Sequence, residues 1–114
     1  MAKVVRTDAE IGLAGVDAGL RAAGHQIALL AGDATEDELL RETRDAELIL
    51  MCYTPITRLV VEGASQLKGI VKYGVGIDAI DITAAREHGI PVVNVPAYAE
   101  ETFGRSASEK VIVE

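Results

Sequence analysis

Five short apolar runs, separated by segments with helix-start chemistry, limit most strongly what these 114 residues can fold into. The first surrounds Val4-Val5. The others span 26–31, 47–53, 69–73 and 90–95. Glu47-Leu48-Ile49-Leu50-Met51-Cys52-Tyr53 is almost continuously apolar, which suits a parallel strand covered on both faces. Thr7-Asp8-Ala9-Glu10 and Thr35-Glu36-Asp37-Glu38 both match the capping box, in which a Thr oxygen and a Glu carboxylate satisfy free N–H groups at a helix start. Leu13, Val16, Leu20 and Ala23 recur at helical spacing, with Gly24 as the stop. Helices are predicted to about Ala46, from about Thr57 to Leu67, and from an Asp81 cap to Gly89. The last segment, 99–114, reads as weakly patterned helix. Gly12, Gly15 and Gly19 share the first helix and are expected to let it lie close to a sheet.

Strands alternating with helices imply right-handed crossovers and a parallel sheet. The expected fold is α/β and flavodoxin-like, a five-stranded parallel sheet of order 2-1-3-4-5 with helices on both faces. The whole chain reads as one domain with its own core. A net charge of -7 argues against a nucleic-acid or anionic-membrane partner, since phosphates call for a basic patch. The apolar runs fall far short of the roughly 20 residues of a membrane span. Met1-Ala2-Lys3 leads straight into a strand, so no secretory signal is expected and a cytoplasmic location is. The single Cys52 excludes an internal disulfide and reads as a buried structural thiol.

Lys72-Tyr73-Gly74-Val75-Gly76-Ile77-Asp78-Ala79-Ile80-Asp81 places two glycines just beyond the fourth strand. In α/β proteins ligands bind outside the carboxyl ends of the strands, and glycine lets backbone N–H groups approach an anion. Three sites can be tested against the strand ends. A phosphoacceptor site needs an Asp at the end of strand 3, which instead exits through Cys52-Tyr53-Thr54-Pro55. FMN needs a hydroxyl-rich loop after strand 1, where Asp8 and Glu10 would repel phosphate. Gly74 to Ala79 fits G-x-G-x-x-G/A, yet the helix begins only after Asp81, and the next strand ends in Asn94-Val95-Pro96 rather than an acidic residue for a ribose. A small carboxylate fits better. It would be held by the backbone around Val75, Gly76 and Ile77, with Tyr53, Thr54, Pro55 and Ile56 supplying a hydroxyl and an apolar wall. No metal site is expected. Lys72 and Arg86 read as solvated charges, Tyr73 as packed at its strand end, and His25 and His88 as surface or capping residues.

The run KYGVGIDAIDITAAREHGIPVVNVP, residues 72–96, closely resembles the NAD-dependent D-2-hydroxyacid dehydrogenases, including their phosphoglycerate dehydrogenase branch. The exit Tyr53-Thr54-Pro55-Ile56 resembles that family's substrate loop. The resemblance covers about 3–102, and before Glu47 it is architectural. It implies a substrate domain whose Val75 and Gly76 contact a 2-oxo or 2-hydroxy acid carboxylate, whose residues 53–56 line the pocket, and whose residues 94–96 lead to a hinge. It also implies that the family's Rossmann domain, its NAD loop and its catalytic Arg, Glu and His have no counterpart in this chain. Where the family runs into a hinge helix patterned S/T-V-A-E-H, this chain has Thr102-Phe103-Gly104-Arg105-Ser106. A truncated, altered or engineered end is therefore expected.

The chain thus reads as an isolated substrate domain, inactive alone, that binds the acid weakly. NAD belongs to the full-length family and no cofactor to this chain. The alternatives are a flavodoxin-like scaffold with no ligand, and one half of an enzyme completed by a separate Rossmann-bearing chain. A homodimer or monomer–dimer equilibrium is expected from apolar surface that a missing domain would otherwise cover.

Overall fold

The computed structural model describes residues 2–73, 78–95 and 112–113. Strands β1 (Lys3–Arg6), β2 (Gln26–Leu29), β3 (Leu48–Met51), β4 (Gly69–Tyr73) and β5 (Val92–Val95) lie in one sheet. Their order is β2-β1-β3-β4-β5, and every pair among them is parallel. This is the expected flavodoxin-like sheet. A two-residue strand β6 (Ile112–Val113) extends it, antiparallel to β5, with Ile112 opposite Asn94 and Val113 opposite Val93. The helical reading of 99–114 is corrected there. Two β-branched residues suit a pleated edge, and the edge of β5 offers backbone groups to pair with. The rest of that segment lies outside the described residues.

Helices α1 (Ala14–Ala22), α2 (Glu36–Thr43), α3 (Arg58–Gly63) and α4 (Ile82–Glu87) connect the strands. The second capping box forms as read. Thr35 Oγ1 accepts the Glu38 amide at 3.2 Å, and Glu38 Oε1 accepts the Thr35 amide at 3.3 Å. Asp81 caps α4 by accepting the Ala84 amide at 2.9 Å, and Thr57 caps α3 through the Val60 amide. Gly24 and Gly89 follow the C-caps of α1 and α4 at φ 91° and 69°, a left-handed conformation that glycine adopts without a Cβ penalty.

The first capping box does not form. Helix α1 starts at Ala14, and its N-cap Leu13 offers no side-chain bond. Thr7 and Asp8 are buried instead, and the Glu10 carboxylate takes the Gly32 amide at 2.8 and 3.1 Å. Tertiary partners outcompete the local helix start.

The close-packing role expected for three glycines is likewise overturned. A Cβ at Gly12, Gly15 or Gly19 would meet nothing within 4 Å, and all three are exposed. Gly19→Ala, inside α1, is therefore expected to stabilise the fold by about 1 kcal/mol through helix propensity alone. A urea midpoint that falls rather than rises would contradict this open-face reading.

The sheet splits the apolar residues into two layers. Ile49 and Met51 of β3, Ile70 and Val92 pack with Leu39 of α2, Val60 and Val61 of α3, and Ala84 and Ala85 of α4. On the other layer Val4, Leu50, Cys52 and Tyr73 meet Ile11, Leu13 and Leu20 near α1. Successive β3 residues face opposite layers, which is why the run is apolar without alternation.

Candidate functional site

Parallel strands end at one edge of the sheet, so the exits of β1, β3, β4 and β5 converge. Arg6, Thr7, Asp8, Thr54, Lys72 and Asn94 are all buried there, an unusual density of polar groups for so small a chain.

Asp8 organises the β3 exit. Its Oδ2 accepts the backbone amides of Cys52, Tyr53 and Thr54 at 3.0, 3.0 and 3.2 Å. The Thr7 hydroxyl donates to the same oxygen at 2.8 Å. Burial alone would raise the Asp8 pKa, but the Thr7 hydroxyl and the three amides outweigh it and hold the carboxyl below its usual range. The Asp8 backbone sits at φ 55°, tolerable for Asp and held by its surroundings.

Arg6 ties β1 to α1 and β4. Its guanidinium grips Asp17 in a fork, with Nε–Oδ1 at 2.8 Å and Nη2–Oδ2 at 2.9 Å. It also donates to the Ile11 carbonyl at 3.1 Å and to the Tyr73 hydroxyl at 3.3 Å. Tyr73 in turn donates to the Thr7 carbonyl. Burial pushes the Tyr73 phenol up to about 12, partly opposed by Arg6. Tyr73 is packed at its strand end, as expected.

Lys72 is not a solvated charge. Only 5 % of it is exposed, its ammonium donates to the Cys52 carbonyl, and it lies 5.2 Å from the centre of the Tyr53 ring. Strand β4 has neighbours on both sides, and Lys72 shares a face with Ile70, which is fully buried in the larger core. The ammonium counters the burial that pushes the Cys52 thiol upward. Arg86 is exposed, as read.

The residues expected to line the pocket divide. Tyr53 is 73 % exposed and Pro55 is exposed. The Thr54 hydroxyl is buried and has no hydrogen-bond partner among the described residues. Ile56 is fully buried in the core, and its backbone joins the two loops: its amide donates to the Ala79 carbonyl at 2.8 Å, and its carbonyl accepts the Asp81 amide at 2.9 Å. Val75, Gly76 and Ile77 lie outside the described residues. His25 accepts the Ala2 amide at 3.1 Å, and His88 is the exposed C-cap of α4. Both precede strands, at the edge opposite the site.

The start of α4, where a pyrophosphate would approach, already holds the Asp81 carboxylate on the Ala84 amide, and Asp78 is exposed nearby. The sequence reading missed Asp8 and Arg6. The signal was a charged residue at the end of a buried strand for Arg6 and two residues beyond it for Asp8.

The catalytic-domain model of the D-isomer specific 2-hydroxyacid dehydrogenases matches residues 11–104. The chain belongs to this family. It is 44 % identical over 81 residues to a D-3-phosphoglycerate dehydrogenase of Methanocaldococcus jannaschii, covering 66 % of this chain and 16 % of that protein. It is 30 % identical over 90 residues to a hydroxypyruvate reductase of Blautia hydrogenotrophica, covering 78 % and 28 %. Among solved structures, the NAD+-bound 3-phosphoglycerate dehydrogenase of Entamoeba histolytica superposes with a TM-score of 0.77 at 25 % identity, over 88 % of this chain and 34 % of that one. The NAD-dependent formate dehydrogenase of Staphylococcus aureus gives 0.70 at 31 %, over 82 % and 32 %. This dehydrogenase-family chain therefore spans between 16 % and 34 % of the length of each of these relatives. No helix among its described residues is long and apolar enough to cross a membrane.

Proposed function

We propose that this chain is the flavodoxin-like substrate domain of a 2-hydroxyacid dehydrogenase, and that it holds the carboxylate of a small 2-oxo or 2-hydroxy acid without turning it over alone. The backbone of Val75, Gly76 and Ile77 would take the carboxylate. Tyr53, Thr54 and Pro55 would border the ligand, with Ile56 fixing their loop from the core. One observation carries the reading: in a member of this family, the exits of β3 and β4 gather a buried ammonium, Lys72, and a buried hydroxyl, Thr54, unpaired among the described residues. An unpaired buried hydroxyl costs about 1–3 kcal/mol, a cost that a polar ligand would relieve. The names of the relatives, phosphoglycerate dehydrogenase and hydroxypyruvate reductase, favour a hydroxy acid over other carboxylates. Hydride transfer needs a nicotinamide held against the substrate carbon, and an acid–base group within reach. Neither histidine is at this edge, which supports a domain that binds rather than reacts.

Amide-resolved NMR titration with glyoxylate or pyruvate, followed by NADH, tests this. Saturable shifts confined to residues 53–56 and 75–77, with no NADH oxidation, are expected. A well-dispersed spectrum that ignores both compounds would leave a scaffold without a ligand. NADH oxidation by the lone chain would overturn its inactivity.

A further inference from the structure

We propose that the turn at residues 52–54 is a backbone receptor for a carboxylate, that Asp8 fills it from within the chain, and that Asp8 thereby positions the β3 exit for ligand binding. The positioning role rests on the function proposed above. The receptor and its occupant do not.

Three consecutive amides, those of Cys52, Tyr53 and Thr54, converge on one Asp8 oxygen at 3.0–3.2 Å. Successive N–H groups aimed at one point form an anion-binding concavity, and a charged acceptor roughly doubles the strength of each bond. The chain holds its own anion in place from both sides. The Thr7 amide donates to the Leu50 carbonyl at 2.8 Å, and the Ala9 amide to the Leu30 carbonyl at 3.0 Å. Asp8 is bracketed between these two bonds at φ 55°. Gly32 closes the remaining side, since a Cβ there would stand 3.0 Å from Asp8 Oδ1 and 3.0 Å from Glu10 Oε1. The same turn carries Tyr53, whose ring lies beside the Lys72 ammonium, and the Thr54 hydroxyl, unpaired among the described residues. Removing the Asp8 carboxylate would free three amides and release both side chains from a common anchor.

Asp8→Gly is the informative variant, because glycine accepts the positive φ and deletes only the side chain. Formate is the probe, being the smallest free carboxylate. At formate about ten times its dissociation constant, the folding equilibrium of Asp8→Gly should gain about tenfold over matched sodium chloride. Saturable shifts of the 52–54 amides should accompany that gain. Asp8→Asn keeps the cavity filled and should not respond. In the unaltered chain the Cys52 amide, which Asp8 already occupies, should show no formate effect, and any formate shift at 53–56 or 75–77 reports on the substrate site instead. An Asp8→Gly variant that treats formate and chloride alike overturns the receptor.

If that variant does not fold in either salt, the unaltered chain decides. Its Asp8 carboxyl and the 52–54 amides should titrate together, below the usual carboxylate range. Glu10, the Cys52 thiol, Lys72 and Tyr73 are the ionisable neighbours whose midpoints must be separated from it. Amides that follow Glu10 or do not move overturn the proposal. A chain that passes these tests yet ignores 2-oxo acids would refute the proposed function and leave the receptor standing.

Discussion

Arg6→Met is expected to destabilise the fold by about 3–5 kcal/mol, because it leaves the Asp17 carboxylate buried without its counter-charge. The Arg6 and Asp17 side chains are only 3 % and 10 % exposed, and their fork-shaped contact is the sole ion pair between β1 and α1 among the described residues. The loss would reach beyond that pair, since Arg6 also holds the Ile11 carbonyl and the Tyr73 hydroxyl. Asp17→Leu added to Arg6→Met should recover much of the loss, because replacing both members of a buried pair with apolar groups is often neutral. Urea unfolding followed by circular dichroism serves here, as the chain has no Trp. A single variant within 1 kcal/mol of the parent, or a double variant worse than the single by as much again, would show that this pair does not anchor α1.

Ile49→Ala should cost about 2–5 kcal/mol, and Ile49→Val about 0.5–1.5 kcal/mol. Ile49 is fully buried at the centre of the sheet, paired with Val5 on one side and Ile70 on the other. Helices α2, α3 and α4 and both neighbouring strands fix its surroundings, so the cavity cannot easily collapse. Leu29→Ala provides the contrast. Leu29 sits on the edge strand β2 with 44 % of its surface exposed and should lose far less. Domains of this kind are stable by about 5–15 kcal/mol, so Ile49→Ala alone should remove a visible share of the denaturation midpoint. Equal losses at Ile49 and Leu29 would mean that the core is not centred on β3.

Local chemistry was legible where it had no competitor. The Thr35–Glu38 capping box, the Asp81 cap, the glycine stops at Gly24 and Gly89, and β4 at 69–73 all formed where the residues placed them. Thr7-Asp8-Ala9-Glu10 has the same local pattern as Thr35-Glu36-Asp37-Glu38. It failed because the amides of the β3 exit and of Gly32 bind its carboxylates instead. Gly12, Gly15 and Gly19 misled for a related reason. Sequence shows that a Cβ is absent but not what would stand opposite it, and here nothing does.

The candidate site divides along the same line. The strand exits, and with them residues 53–56 as neighbours of the glycine loop, followed from the order of the elements. Lys72 did not. A lysine inside a strand reads as solvated unless both flanks of that strand are known to be covered, and coverage is a property of the assembled sheet.

The sequence by itself determined the alternation of strands and helices, the parallel order 2-1-3-4-5 and the family, because these rest on periodicity, capping and a continuous motif. Only the tertiary structure decided which charges are buried and what each one holds. Arg6 and Asp17 are 11 residues apart, and Asp8 and Cys52 are 44 apart. No spacing rule reaches that far, so those contacts exist only once the chain has closed the sheet over them.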